Sequence, residues 1–437
     1  MAFFTDNKND KNIFSVRDGV LYIEGVSALS LAEEYGTPLY VYSKRSIKDR
    51  CREIKEDFLD RYPGTEASYA AKAFLTPAIA ELIDGEGLML DVVSGGELFV
   101  ALAGGFPASK IKFHGNNKTR EELEYALRSG VGRIVIDALD EIDLLEEAAK
   151  RLGKVQKVLF RITPEVKAGA HDHITTGQRN SKFGIPMDGH IIFPLIEKSL
   201  KSENIILSGL HFHLGSQLFE DAPFLEALGK ALDLVLAVRD RYGYTMPELN
   251  VGGGYGVHYV DGEERKPYSY FVDPIMKKVD EYCASNDMAA PVVGIEPGRS
   301  VVGEAGVTLY RIGSVKKIPE GKTFVSVDGG ISDNIRHALY DAEYEAVIAN
   351  KAGDLPSVRA VVCGKLCEEG DRIISDALIA EPERADVLCV FTTGAYCYSM
   401  ASNYNKMTKP AVVLVDGEAS EVLVKRQEYK DYLSTER

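Results

Sequence analysis

Residues 110–137 read KIKFHGNNKTREELEYALRSGVGRIVID. Two short β-rich runs, IKF and RIVI, flank a polar turn and an amphipathic stretch, REELEYALRS (120–129). A strand, a helix and a second strand in this order form a unit whose strands lie parallel. The same texture extends in both directions. Strand candidates fall at 66–71, 88–93, 110–114, 133–137, 158–163, 205–211, 248–251 and 292–296. Helical patterns lie between them, among them 140–152 (DEIDLLEEAAKRL) and 222–241. Eight such units over about 230 residues fit a closed (β/α)8 barrel, which typically takes ~250. An open doubly wound sheet is the competing architecture, because counting short apolar runs does not separate the two.

Beyond residue 300 the runs at 307–315, 323–327, 358–363 and 411–415 alternate or are β-branched, and helical periods are few. A further strand candidate lies at 20–23. The expected organisation is α/β: a barrel over 38–299, and a mostly β domain built from 300–437 and completed by the N-terminal segment 1–37. The turn-rich stretch 168–184 is expected to be a loop that closes over bound substrate.

The chain has 437 residues, 51 basic and 66 acidic, for a net charge of −15. Non-specific nucleic-acid binding needs Lys and Arg to neutralise phosphates, so this balance argues against it. No apolar run reaches the ~20 residues that span a bilayer, and the start, MAFFTDNKND, lacks the pattern of a secretory signal. Six scattered cysteines are too few for a disulfide framework, so reduced thiols and a cytoplasmic setting are expected. Cys363 and Cys367 stand four apart without a second pair or clustered His, so no metal is expected.

Active sites on such barrels lie at the C-terminal ends of the strands. Lys72 ends the first strand in YAAKAF (69–74). An amine partly desolvated there is available as a nucleophile or Schiff-base former; the alternative is a lysine that reaches to solvent. The strand near 210 ends in HFHLGSQ, and alternation puts His211 and His213 on one face, lining the barrel mouth together, or else as a zinc pair or satisfied core histidines. Three glycines follow the strand at 250 in NVGGGYG. Their N–H groups suit an anion such as phosphate, or they make a tight turn. The last strand ends Glu296-Pro297-Gly298-Arg299, a carboxylate, more backbone amides and a guanidinium. Lysine, imidazole, phosphate nest and carboxylate together are what pyridoxal phosphate requires.

With these residues in place, the chain resembles the diaminopimelate decarboxylases, in the alanine-racemase-like (fold type III) group of pyridoxal-phosphate enzymes. The resemblance runs from Pro38-Leu39-Tyr40-Val41-Tyr42 to Tyr404-Asn405. It rests on YAAKAF, DVVSGGEL (91–98), HGNNK (114–118), SKFG (181–184), GLHFHLGSQ (209–217), NVGGGYG (250–256), EPGR (296–299), DGGISDNIRHALY (328–340), CEEGD (367–371) and GAYCYSM (394–400). Phe74 departs from it, standing where Asn is common. The resemblance implies that Lys72 binds the cofactor as a Schiff base and His213 stacks on its ring. It implies that Ser216, Gly253, Gly254, Gly298 and Arg299 surround the phosphate, and that Glu296 faces the pyridine nitrogen. Arg336, Tyr340 and Glu368, with Arg299, match substrate-holding positions. Cys367 matches the general acid, and Tyr396 lies by cofactor and substrate. It also implies a homodimer in which the CEEGD segment serves the partner's site.

The chemistry agrees with the assignment. A carboxylate at the ring nitrogen keeps it protonated and strengthens the electron sink, and a thiol can return a proton to the α-carbon without a metal. Arginine and tyrosine suit a distal carboxylate, and Glu368 suits an ammonium. The expected reaction is therefore meso-diaminopimelate to L-lysine and CO2, the last step of lysine synthesis. The alternatives are a related decarboxylase of carboxynorspermidine, ornithine or arginine, or a silent cofactor-binding homologue. Arg336 and Tyr340 disfavour the first; Lys72, Glu296 and Cys367 disfavour the second.

Overall fold

The Thr119 hydroxyl accepts the Glu122 N–H, and the Glu122 carboxylate accepts the Thr119 N–H. Two backbone donors at the start of helix Arg120–Ser129 are thus satisfied reciprocally. Gly130 ends the helix in the left-handed conformation, φ 76°, where glycine carries no Cβ penalty. Leu123, Ala126 and Leu127 are buried along one face. The helix returns the chain so that Ile111–Phe113 and Arg133–Ile136 pair in parallel, Lys112 opposite Arg133.

The computed structural model describes residues 13–166 and 181–436. Glu66–Ala70, Met89–Val92, Ile111–Phe113, Arg133–Ile136, Gln156–Thr163, Ile205–His211, Glu248–Asn250 and Val292–Ile295 each pair in parallel with the next. Val292–Ile295 then pairs with Glu66–Ala70, Gly294 opposite Glu66 and Ile295 opposite Ala67. The ring closes, which rules out the open sheet. Charges inside the barrel are paired, as burial requires. Lys112 Nζ lies 2.9 Å from Glu66 Oε2, and Arg133 Nε donates to Glu248 at 2.8 Å.

The chain divides into two units. The barrel unit comprises residues 51–256 and 266–300. The second comprises the described residues among 1–50, 257–265 and 301–437. Its sheet runs through Gly306–Lys317, which pairs antiparallel with Thr323–Val327, Val387–Val390 and Leu39–Ser43. Leu39–Ser43 pairs in parallel with Ala411–Asp416 on its other side. The expected barrel boundary at 38 is therefore corrected. LYVYS (39–43) is a strand of the β unit, buried on both faces, and the element that completes the sheet lies beyond 37. The strands Phe14–Arg17, Val20–Ile23 and Val26–Ser27 form a separate three-stranded sheet. They pack Leu21 and Ile23 into a core with Leu39, Val41, Leu309 and Val413. Residues 257–265, expected in the barrel, supply Val257 and Tyr259 to a second core with Tyr310, Val325 and Ile373.

The loop expected at 168–184 lies outside the described residues except for 181–184. Its described end is anchored: Asp137 Oδ1 accepts the Gly184 N–H at 2.7 Å, and the Arg161 guanidinium lies over the Phe183 ring. Among the described residues no helix is long and apolar enough to cross a membrane.

Candidate active site

The barrel strands deliver their terminal residues to one end. Lys72 sits in a 3-10 turn, Ala71–Ala73, directly after the first strand. The turn is fixed by the Tyr69 hydroxyl, which donates to the Phe74 carbonyl at 2.6 Å, and by the Ala70 N–H, which donates to Pro297 O at 3.0 Å. Lys72 is half-buried between buried Ala71 and Ala73.

His213 follows the sixth strand. Its Nδ1 accepts the Gly253 N–H at 3.3 Å, so the proton of the neutral ring is on Nε2. Burial first, then the nearby Lys72 charge, pushes its pKa well below the ordinary histidine range. A neutral, flat imidazole is suited to stacking.

Gly254 has φ +108°, and a Cβ there would lie 2.2 Å from Gly215 O; at Gly253 it would lie 1.9 Å from Glu296 O. Only glycine brings these two loops together. The N–H groups of Gly254 and Gly298 have no hydrogen-bond partner among the described residues. Ser216 Oγ accepts from Arg299 Nε and Nη2 at 3.2 and 3.0 Å, and Arg299 is buried. Free amides, a hydroxyl and a buried guanidinium form a cradle whose chemistry fits a phosphate. Gly254→Ala should therefore lower the affinity for pyridoxal phosphate at least about tenfold and destabilise the fold by about 1–3 kcal/mol. Absorbance titration with the cofactor and a melting curve measure the two effects.

Glu296 directly follows the eighth strand, buried, with His211, Asn250 and His114 around its carboxylate. Burial opposes its ionisation. The adjacent His114 and His211 outweigh that and hold the carboxyl well below its usual range. Asp91 is pushed up to about 6, chiefly by burial, against the pull of His114. Glu97 rises to about 7, again by burial, opposed by the Val93 N–H it accepts at 2.8 Å. Donor atoms of His114, His211 and Glu296 converge within 4.8 Å of one another. No metal was expected, a zinc pair of His211 and His213 being only an alternative; the cluster instead joins His211 to His114 and Glu296. A fixed buried anion fits a cationic ring nitrogen, so the barrel residues fit pyridoxal phosphate at both its ends.

The β unit carries the remaining expected residues. Arg336 is buried and Nη1 donates to the hydroxyls of Tyr259 and Tyr344 at 3.0 and 2.7 Å. Tyr340, at the end of the same short helix Arg336–Tyr340, is exposed. Cys367 and Glu368 are exposed. The Cys367 N–H donates to Asn405 Oδ1 at 2.7 Å, and the Tyr404 hydroxyl reaches Glu368 Oε2 at 3.5 Å. Asp371 ties the two motifs. Its Oδ1 accepts the Ile331 N–H and its Oδ2 the Leu366 N–H, both at 2.7 Å. A Cβ on Gly330 or Gly364 would collide with that carboxylate at 2.3 Å. DGGISDNIRHALY and CEEGD are thus one structure. Tyr396, half-buried, is held at φ 66°. Such backbone strain in a non-glycine residue marks a site where geometry is imposed.

His114, Asn250 and Asp91 were not named as site residues from sequence, and His211 was left between a site residue and a core histidine. Each is a polar residue within one position of the C-terminal end of a barrel strand, which is the signal that finds them.

The profile described as "Pyridoxal-dependent decarboxylase, pyridoxal binding domain" matches residues 44–303. The chain is 47% identical to the diaminopimelate decarboxylase of Bacillus subtilis (strain 168) over 413 residues, 94% of each chain. It is 42% identical to that of Staphylococcus aureus (strain COL), covering 95% of this chain and 97% of the relative. The crystal structure of diaminopimelate decarboxylase from M. jannaschii in co-complex with L-lysine superimposes with a TM-score of 0.90 at 33% identity, covering 98% of both chains. Closed barrel, phosphate cradle and strand-end lysine define a pyridoxal-dependent decarboxylase. Within that class, the chain belongs to the diaminopimelate decarboxylase family.

Proposed function

We propose that this enzyme converts meso-diaminopimelate to L-lysine and CO2, working as a cytoplasmic homodimer. The observation that carries the reading is the barrel mouth, where Lys72, the glycine cradle with Ser216 and Arg299, and the ionised Glu296 converge. The printed names of the relatives and of the lysine-bound M. jannaschii structure support the substrate. When bound, pyridoxal phosphate supplies the sink for the electron pair left at the α-carbon as CO2 departs. Lys72 holds it covalently, His213 stacks on its ring, and Ser216, Gly253, Gly254, Gly298 and Arg299 hold its phosphate. Glu296 keeps the ring nitrogen protonated, and Tyr396 contacts cofactor and substrate.

Arg299, Arg336 and Tyr340 bind substrate carboxylate, and Glu368 binds the distal ammonium. The bond from the α-carbon to the carboxylate breaks, and the Cys367 thiol gives its proton to the α-carbon. Cys367 and Glu368 belong to the turn held by Asp371 and act in the site of the partner subunit.

CO2 release from meso-diaminopimelate, ornithine, lysine and arginine tests the reading. A site built around paired charges for the distal end should favour diaminopimelate by at least about a thousandfold in kcat/KM. Equal rates on ornithine would overturn the assigned substrate.

A further inference from the structure

Both carboxylate oxygens of Glu296 are held. Asn250 Nδ2 donates to Oε1 at 2.8 Å. The amide cannot be turned over, because Asn250 Oδ1 accepts the Gly252 N–H at 2.9 Å. His211 Nε2 lies 3.0 Å from Oε2. His114 Nε2 lies 3.0 Å from Oε1 but is not aligned as a donor. Its ring packs edge to face on that of His211, centroids 4.8 Å apart. Asp91, 3.5 Å from His114, bears on the cluster together with Arg161, Lys72 and Glu97.

His211 is fully enclosed, yet its Nδ1 has no hydrogen-bond partner among the described residues. Buried polar atoms are rarely left bare, and one that is calls for an explanation. A neutral imidazole has a single N–H. If that N–H is committed to Glu296 through Nε2, Nδ1 is an acceptor with nothing to accept. Burial, opposed by Glu296, pushes the His211 pKa down to about 4, so the ring is neutral near pH 7. This matters for the anion. A cationic histidine would neutralise Glu296 and compete with any other cation for it. Two neutral donors fix the carboxylate and leave its full charge available.

We propose that His211, with Asn250, is a positioning residue that keeps Glu296 ionised and oriented, and thereby sets the proton affinity of a pyridinium nitrogen bound against it. The proposal rests on the reading that Glu296 faces the cofactor's ring nitrogen.

The test is nitrogen NMR of the holoenzyme loaded with pyridoxal phosphate isotopically labelled at the ring nitrogen, followed across pH. In the wild type the nitrogen should stay protonated through neutral pH. In His211→Phe, which keeps the bulk and loses the N–H, its deprotonation should move down by about 2 pH units. His211→Gln, which keeps a donor, should restore most of that shift. Asn250→Ala should act in the same direction, and decides the matter if His211→Phe does not fold. A folded His211→Phe holoenzyme with the wild-type titration overturns the proposal. Glu296→Gln separates the two ideas. If it leaves the nitrogen protonated, Glu296 does not face the ring and the underlying reading fails. If it deprotonates the nitrogen while His211→Phe does not, that reading stands and the positioning role falls.

Discussion

Replacing Lys72 with alanine should leave a folded protein that retains no covalently bound pyridoxal phosphate and decarboxylates at least about a thousandfold more slowly. The fold should survive because Lys72 lies in a short turn held by its neighbours, through the Tyr69 hydroxyl and the Ala70 N–H. The phosphate cradle is untouched, so cofactor should still bind by its anionic end and exchange freely. Borohydride reduction followed by mass measurement distinguishes the states. Wild type should gain the mass of the reduced cofactor, and Lys72→Ala should not. A borohydride-stable adduct in the variant would move the Schiff-base role to another lysine.

The second large effect is a recovery. Lys72→Ala and Cys367→Ala homodimers should each be nearly inactive, since every site carries a lesion. If Cys367 serves the partner's barrel, subunit exchange makes heterodimers with one doubly damaged site and one intact site. With equal mixing, half of the dimers are mixed, so about a quarter of wild-type activity should return. Recovery should appear only as exchange proceeds, which native mass measurement follows. A site contained in one chain predicts none, because each site then keeps one lesion. Full exchange without recovery would place Cys367 in the pocket of its own chain.

Much of this architecture was legible in the residues. All eight barrel strands were read from short β-rich runs, because strand, polar turn and amphipathic helix differ in period and composition. Their ends were less visible. The run read as 66–71 stops pairing at Ala70, where the chain turns to present Lys72. LYVYS was misplaced because a five-residue apolar strand looks alike in a parallel barrel and in the middle of a mixed sheet. Its partners, Gly306–Lys317 and Ala411–Asp416, lie more than 250 residues away. Residues 257–265 read as barrel for a related reason, since nothing local marks a chain leaving one core for another. Among the site residues, Lys72, the glycines and Glu296 stand in motifs whose composition is unusual for a strand end. His114 and Asn250 are single polar residues, and only the placement of Glu296 between them gives them meaning. The enclosure of Arg336 by Tyr259 and Tyr344 was likewise beyond a local reading, as Tyr259 is 77 positions away.

Asp371 joins the turn bearing Cys367 to the loop before Arg336 using only groups of the β unit. That turn therefore has its shape before any second molecule arrives. In the proposed dimer, association would use a turn that is already formed, and little of its ordering entropy would be lost in the encounter. If the enzyme works as the proposed dimer with shared sites, dilution below its dissociation constant would silence it while leaving each separated chain with its thiol turn intact. Specific activity would rise and fall with enzyme concentration, reversibly and without refolding.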